Sequence, residues 1–562
     1  MDREAEAVGG DPGSAGGGVR IAGLALGVWC LALLCGCSSD RTLQFNLGNE
    51  AVQLDWARAI DTSSGVVLDN IMEGLTSYVD SLPGSEAELL RPMPALAFSW
   101  AVSDGGRTYR FLLKPGVFWS DGVELEAQHF VDAWERLLNP ATASANAYQL
   151  HEIDGAAPYA EGKLKDFSRV GVKAIDKHTL EVHLRRPVPY FLHLVASAST
   201  FPVRKDLIEK YGEQWMDPEH LVTLGPYRIA EWVQGERIVL RAYPGYHGAK
   251  PKIDTVLCRL IAEPLTAYTY YENGELDILP RDLPPSFARA LQAHPDYRSG
   301  PKLSVSYLLF NVHRAPFDTP ARRRAFIAAM NREELAANFE GSQTSVTSWI
   351  PPGLVGYSPS LGIAAEGRAA TDFPQRPVTI RFTGSDTWNL VLQSVQRRMA
   401  EKLGVKAKLE QLESKEFQKL LTARERPEAM PQLMLLGWVA DYPDPHNFMN
   451  IFTSASENNY MGWKNRAYDD LVEKAVSTAD ESNRRRYYLE AQKLLLEDEA
   501  VLMPLFLNSH QALVRSSLKG VNLNVLDKWY FQNVEFTDAS WRGFGHGMLR
   551  RLRRGQAPPG SS

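Results

Sequence analysis

The chain has 562 residues, more than one hydrophobic core usually organises, so two or three domains are expected. Hydrophobic residues make up 44% and charged residues 23%, which excludes a polytopic membrane protein and an extensively disordered chain. A net charge of -6 supplies no concentrated basic face, so no nucleic-acid partner is expected.

Near the start, Arg20 precedes an apolar run over residues 21–34. Its length suits a signal-peptide core and is too short to span a bilayer comfortably. The run closes on Leu34-Cys35-Gly36-Cys37, which resembles the bacterial lipobox, with Cys37 as the acylated new N-terminus. Several acyl chains on that cysteine would tether the protein to a membrane. A cleaved secretory signal and an uncleaved anchor are the alternatives. Residues 1–18 are Gly-rich and carry Asp2, Glu4 and Glu6 where a signal carries positive charge, which points to a translation start at Val19. Of four cysteines, Cys30 and Cys35 leave with the signal and Cys37 is acylated. Cys258 then stands alone, and no internal disulfide is expected.

The mature chain opens on an alternating stretch, residues 42–47, that predicts a strand. Helical spacing follows over 66–75. A strand at 108–113 runs into the Lys114-Pro115-Gly116 turn, and a second turn follows at Trp119-Ser120-Asp121-Gly122. Residues 127–138 read as a helix stopped by Asn139-Pro140, and 179–184 as a strand ending at Pro187. Strands are predicted at 237–241 and 255–260, and long helices at 321–339, 388–402 and 483–499. Interleaved strands and helices argue for an α/β class. The tail from Leu549 is Arg-rich and ends in a Pro- and Gly-containing stretch, the composition of a solvated tail.

Signatures of catalysis are missing. There is no phosphate-binding glycine loop, no Gly-x-Ser-x-Gly elbow and no His-Glu-x-x-His zinc pair, and His129, His151, His313 and His446 stand apart without ligand spacing. No enzymatic activity, metal or cofactor is therefore expected. The 13 Trp, 21 Tyr and 22 Phe serve mostly as core. Trp438, Tyr442 and Phe448, however, flank the turn Asp441-Tyr442-Pro443-Asp444-Pro445, and loops of that kind line sites.

Several segments taken together resemble the extracytoplasmic oligopeptide- and dipeptide-binding proteins of ATP-driven importers. They are Leu54-Asp55 with Asn70-Ile71-Met72-Glu73-Gly74-Leu75; Ala97-Phe98-Ser99-Trp100; Ser103-Asp104-Gly105-Gly106-Arg107-Thr108-Tyr109; and Val117-Phe118-Trp119-Ser120-Asp121-Gly122 with Phe130-Val131-Asp132-Ala133-Trp134. Further on come Gly225-Pro226-Tyr227-Arg228, Asn273-Gly274-Glu275-Leu276-Asp277, Leu309-Phe310-Asn311 and Ala315-Pro316-Phe317-Asp318. Last is Gly437-Trp438-Val439-Ala440-Asp441-Tyr442-Pro443-Asp444-Pro445.

The resemblance implies a class II periplasmic-binding-protein fold of α/β type, with two hinged lobes and an inserted smaller domain. It implies a signal region at 1–36, a discontinuous first domain of 37–84, 203–303 and 516–545, an inserted domain of 85–202, a third domain of 304–515, and a basic tail at 546–562. It also implies a monomer that takes short peptides in an interdomain cleft and passes them to ABC permease subunits outside the cytoplasmic membrane. Ligand termini need charged partners there. Asp441 stands at the family's anchor for the ligand's α-amino group, beside Trp438, and Tyr530 and Tyr148 stand where members place ligand-contacting tyrosines. Leu435 occupies the position of an arginine that some members place near the ligand's C-terminal end, and Arg424 and Arg426 are the nearby substitutes. Ser304 and Val439 replace the cysteines of members with a disulfide at the domain junction, and Trp56 follows Leu54-Asp55 where a proline is usual. Two other functions remain open at this point, a peptide-sensing lipoprotein and a family member binding a nickel chelate or haem.

Overall fold

The structure, a computed structural model, describes residues 42–537 apart from 79–90, 281–282, 284–287, 340–342, 363–372, 375, 385, 423–426 and 479. The expected signal region, Cys37, Arg424, Arg426 and the tail lie outside the described residues. Among those described, no helix is long and apolar enough to cross a membrane.

Strand β1 (Thr42–Asn46) opens the fold. A four-stranded antiparallel sheet follows, built from β2 (Ala97–Ser103), β3 (Thr108–Leu113), β4 (Val172–Asp176) and β5 (Thr179–His183) in the order β2-β3-β5-β4. The chain then makes β6 (Tyr227–Val233), β7 (Arg237–Ala242), β8 (Thr255–Arg259), β9 (Ile278–Pro280) and the long β10 (Tyr297–Phe310). After them come β11 (Thr344–Ser345), β12 (Val378–Phe382), β13 (Ala407–Gln411), β14 (Leu433–Val439) and the long β15 (Leu502–Val514). These join β1 in a mixed eleven-stranded sheet ordered β13-β12-β14-β10-β15-β9-β1-β8-β7-β6, with β11 on β15. Parallel pairs (β1 with β8, β12 with β14) and antiparallel pairs (β10 with β15, β7 with β8) both occur, in agreement with the α/β class.

The middle of this sheet is where its two halves meet. β10 and β15 pair over almost their whole length, but the register shifts between Pro301 and Val305 and again between Ser306 and Tyr307. A proline donates no ladder hydrogen bond, so Pro301 is a natural place for the pairing to break. The cores divide at the same level. One cluster joins β1 and the four-stranded sheet with Trp529 and Phe531 from the C-terminal segment. Two others draw on residues from Leu303 to Leu526, one of them joined by Tyr78 and Ala196. Ser304 and Val439 are direct cross-strand partners in the β10–β14 ladder.

Helix α1 (Thr62–Ile71) starts four residues before its predicted position and ends four earlier, because Asp61 caps it by accepting from the Ser64 N–H and Met72 is extended. Helix α2 (Ala127–Leu138) matches its prediction. The helix expected at 321–339 is two: α3 (Pro320–Ala329) and α4 (Arg332–Ala336), separated because the Asn331 side chain caps the second by accepting from Glu334 N–H. Helix α5 (Asp386–Arg398) continues as a π-helical turn to Leu403. The turn after β14 leads into the short α6 (Pro445–Met449), and α7 (Glu481–Lys493) also ends in a π turn. Cys258 is a buried free thiol on β8, pushed up to about 12 by burial. Asp55 is buried beneath Arg136, which grips both carboxylate oxygens, and Trp56, in the place of the usual proline, donates its indole N–H to the Phe201 carbonyl at 3.2 Å.

Candidate functional site

The free end of β14 has an unusual environment. β14 is paired with β12 only at Leu433 and Met434, whereas β10 accompanies it from Leu433 to Val439. From Leu435 to Val439 the second edge pairs with no strand among the described residues, so backbone donors and acceptors are left for another extended chain. Side chains along one face of this stretch change character in step. Leu433 and Leu435 pack into an apolar core, while Gly437 is exposed and Val439 is 43% exposed in the middle of the sheet. Leu435, at the position of the family arginine, is thus core and carries no charge to the site.

The strand delivers Asp441 two residues beyond its end. Its carboxylate accepts from the Tyr148 hydroxyl at 2.5 Å and from Asn447 Nδ2 at 3.2 Å. Asn447, on α6, also takes the Trp438 indole N–H at 2.7 Å and the Asp441 backbone N–H at 3.2 Å on its Oδ1. One asparagine therefore fixes both the acid and the indole beside it. The turn-capping work falls to Asp444, which accepts from His446 N–H at 2.8 Å and binds Arg484 through both oxygens at 2.7 Å.

Asp441 is half-buried and forms no ion pair among the described residues. Burial holds its carboxyl above the usual carboxylate range, opposed by the hydrogen bonds from Tyr148 and Asn447 and by the charge of Lys528. Burial, then the Asp441 charge, raises the Tyr148 hydroxyl well above its ordinary value, so it stays protonated and donates. Tyr530 is raised likewise, by burial first and Asp69 second. It lines a narrow cavity with Asp69, Glu73 and Met72, and Lys528, two residues earlier, binds both Asp69 oxygens at 2.9 Å.

Beside the acid, an aromatic stack joins the early and late parts of the chain. Tyr190 lies parallel to both Tyr442 and His446, each with ring centroids 4.9 Å away, and the Tyr442 hydroxyl meets His446 Nδ1 at 2.9 Å. Arg186 adds an ion pair to Glu473 while holding the buried Glu152. The structure therefore brings Tyr148, Trp438 and Asp441 into one hydrogen-bonded group and places Tyr530 in the cavity beside Lys528, whose charge acts on Asp441. Arg424 and Arg426 fall outside the described residues. Asn447, Lys528 with Asp69, and Tyr190 were not singled out in the sequence. Asn447 carried a faint signal, since it follows Asp441 by six residues across a Pro-containing turn.

Residues 91–460 match the family model for the middle region of bacterial extracellular solute-binding proteins, family 5. The chain belongs to that family. Among its relatives is the periplasmic oligopeptide-binding protein OppA of Escherichia coli, 31% identical over 88% of this chain and 93% of that one. Another is the probable deoxycholate-binding periplasmic protein YgiS of the same organism, 30% identical over 83% of this chain and 88% of that one. Among solved structures, the E. coli murein tripeptide binding protein MppA superposes with a TM-score of 0.78 at 25% identity, covering 88% of this chain and 98% of that one. Against the unliganded open form of MppA the score is 0.68. The present chain is thus farther from that open form than from the other MppA structure.

Proposed function

We propose that this family 5 protein captures short peptides in the cleft bounded by Tyr148, Trp438, Asp441 and Tyr530 and delivers them to an ABC permease. The observation that carries this reading is a half-buried carboxylate that forms no ion pair among the described residues, placed beyond the end of a strand whose outer edge pairs with no described strand from Leu435 onward. A peptide supplies both missing partners. Its ammonium meets Asp441, and its extended backbone pairs with residues 435–439, so the affinity is indifferent to most side chains. The oligopeptide- and dipeptide-binding names of the relatives support the ligand class. A bile-acid carboxylate, by contrast, brings a second negative charge to Asp441 and no backbone to β14.

In this reading the first domain (37–84, 203–303 and 516–545) and the third (304–515) close on the ligand by bending where β10 and β15 change register, with 85–202 riding on the first. Cys37 carries the acyl anchor, and the protein works as a monomer on the extracytoplasmic side of a membrane. Mass spectrometry of ligands that co-purify with the protein tests the reading, together with melting curves in unrelated tripeptides to pentapeptides. Each peptide should raise the melting temperature. A protein that carries no peptide and melts unchanged in a broad peptide mixture refutes it.

A further inference from the structure

The face of the sheet that turns away from the core carries a charge pattern that peptide capture does not use. Ile238, Leu240, Val256 and Cys258 point into the core, and the alternate residues of the same strands are half-buried or exposed on the other side. Two arginine pairs stand directly opposed across strands there, Arg228 with Arg241 and Arg237 with Arg259. Between them lie Val239 and Leu257, also direct partners, in an open groove of about 340 Å³ that Arg237, Arg259 and Glu236 line and that Arg228 and Arg241 flank on the same face. Like charges placed opposite each other destabilise a sheet.

Only Arg237 is neutralised, by Glu231 at 2.6 Å and by Glu236. Arg228 lies over the Tyr243 ring at 4.8 Å, and Arg259 lies over Tyr270 at 5.8 Å and reaches Gln44 Oε1 at 3.3 Å. Arg241 is exposed. None of these three forms an ion pair among the described residues. Three uncompensated guanidinium groups around a small apolar centre fit a surface of anionic phosphate groups.

The second observation is where the chain enters. Thr42 lines the same groove, and its predecessor is Arg41. Cys37 lies five residues upstream of Thr42. Whatever conformation those residues adopt, an extended chain spans at most about 17 Å over that interval. This step rests on the reading of Cys37 as acylated. With the acyl chains in the bilayer, Thr42 at the edge of the groove is held within that reach of the lipid headgroups.

We infer that the outer face of β6, β7, β8 and β1 rests on the anionic phospholipid surface of the membrane that holds Cys37. Arg228, Arg241 and Arg259 contact lipid phosphates, and Val239 and Leu257 seat between them. Each arginine close to such a surface strengthens binding about fivefold, so the three together supply about 100-fold.

The test uses the processed protein in lipid nanodiscs, with a fluorophore on Thr255→Cys in the groove or on Ile175→Cys, 51% exposed on the four-stranded sheet. Headgroup spin labels should quench the dye at position 255 and not at 175, in discs containing phosphatidylglycerol and much less in discs of phosphatidylcholine alone. The triple variant R228Q/R241Q/R259Q should melt no lower than wild type and bind peptide like it, yet lose the contrast between positions and, when applied to vesicles from solution, bind phosphatidylglycerol about 100-fold more weakly. Equal quenching at both positions, or quenching indifferent to phosphatidylglycerol, overturns the inference. The mass of the N-terminal peptide reports acylation separately. A protein without acyl groups is added to the same discs from solution, where the same contrast decides, so a failed anchor and a failed docking face give different results.

Discussion

Replacing Asp441 should separate stability from binding, because in the empty protein its charge is a cost and in the proposed complex it is a partner. Burial raises its carboxyl above the ordinary range, its hydrogen-bond partners among the described residues are a hydroxyl and an amide, and the Lys528 charge only partly offsets the burial. A carboxyl group raised in the folded state destabilises the protein at any pH above that raised value. The penalty disappears below the unfolded value near 3.9. Asp441→Asn keeps an acceptor for both Tyr148 and Asn447, so the empty variant should melt higher than wild type at neutral pH and equally in strong acid. Peptide binding should move the other way. A desolvated ammonium that loses its charge partner typically costs about 2 to 5 kcal/mol, or tens- to thousands-fold in affinity. Acetylating the peptide's amino group removes the same interaction from the other side, so the two losses should not add. Since the ligand favours the ionised acid, wild-type affinity for a free-amino peptide should fall as pH drops through the raised value, while affinity for the acetylated peptide stays level. Calorimetry with one tripeptide, its acetylated form, wild type and Asp441→Asn measures every term. If the variant binds the free peptide as tightly as wild type, or the two losses sum, Asp441 is not the ammonium anchor.

Gly437 lies on the open edge of β14, and the nearest heavy atom to an added Cβ is Ser306 Oγ at 3.9 Å. Gly437→Val should therefore leave the melting temperature nearly unchanged while weakening tripeptide binding about tenfold, since a steric misfit of this size costs about 1–3 kcal/mol; an unaffected affinity in calorimetry places the peptide elsewhere. The pair Ser304 and Val439, opposed in the β10–β14 ladder, has the spacing a disulfide requires. Ser304→Cys with Val439→Cys should form an internal disulfide under oxidising conditions, readable as a loss of free thiol, and stabilise by about 2–4 kcal/mol against its reduced form. His446 is buried and its imidazole is pushed down to about 4, mainly by burial. The unfolded chain binds that proton near pH 6.5, so this histidine's contribution is complete above 6.5 and is lost as pH falls through about 4, a total of about 3 kcal/mol. His446→Gln should flatten the urea midpoint against pH over that window, and an unchanged slope contradicts the assignment.

What the sequence made legible follows from how local each signal is. Strand β1 and helix α2 were readable from period and punctuation, because alternation and the Asn139-Pro140 stop act within a few residues. The break at Asn331 was missed because the apolar pattern continues across it and only the Asn331-x-x-Glu334 cap betrays it. The start of α1 is likewise set by a cap, as Asp61 lies five residues before the apolar period begins. In the site, Trp438 and Asp441 came from one contiguous motif. Tyr148 touches Asp441 across 293 positions, which periodicity cannot register, and only the family resemblance brought it forward. The open edge of β14 is less accessible still. It depends on β12 ending its pairing at Met434, a property of two strands that neither segment encodes alone.

The same contacts account for how a cleft of this kind can respond to its ligand. Tyr190 against Tyr442 and His446, Arg186 with Glu473, and Tyr148 with Asp441 all join residues before position 203 to residues after 438. Each favours an arrangement in which these parts are together. Opposing them is the desolvated charge of Asp441, which gains water when the parts separate. A receptor needs these terms near balance. If the aromatic and ionic contacts dominated, the empty cleft would stay shut and exclude peptide, and if the buried charge dominated, the ligand would have to supply all of the closing energy. In the proposed complex an incoming ammonium acts on this unfavourable term, turning the charge that opposes closure into one that rewards it. Closure in the proposed complex is thereby tied to the ligand's amino terminus and to its backbone on β14, the two features that every unmodified short peptide shares.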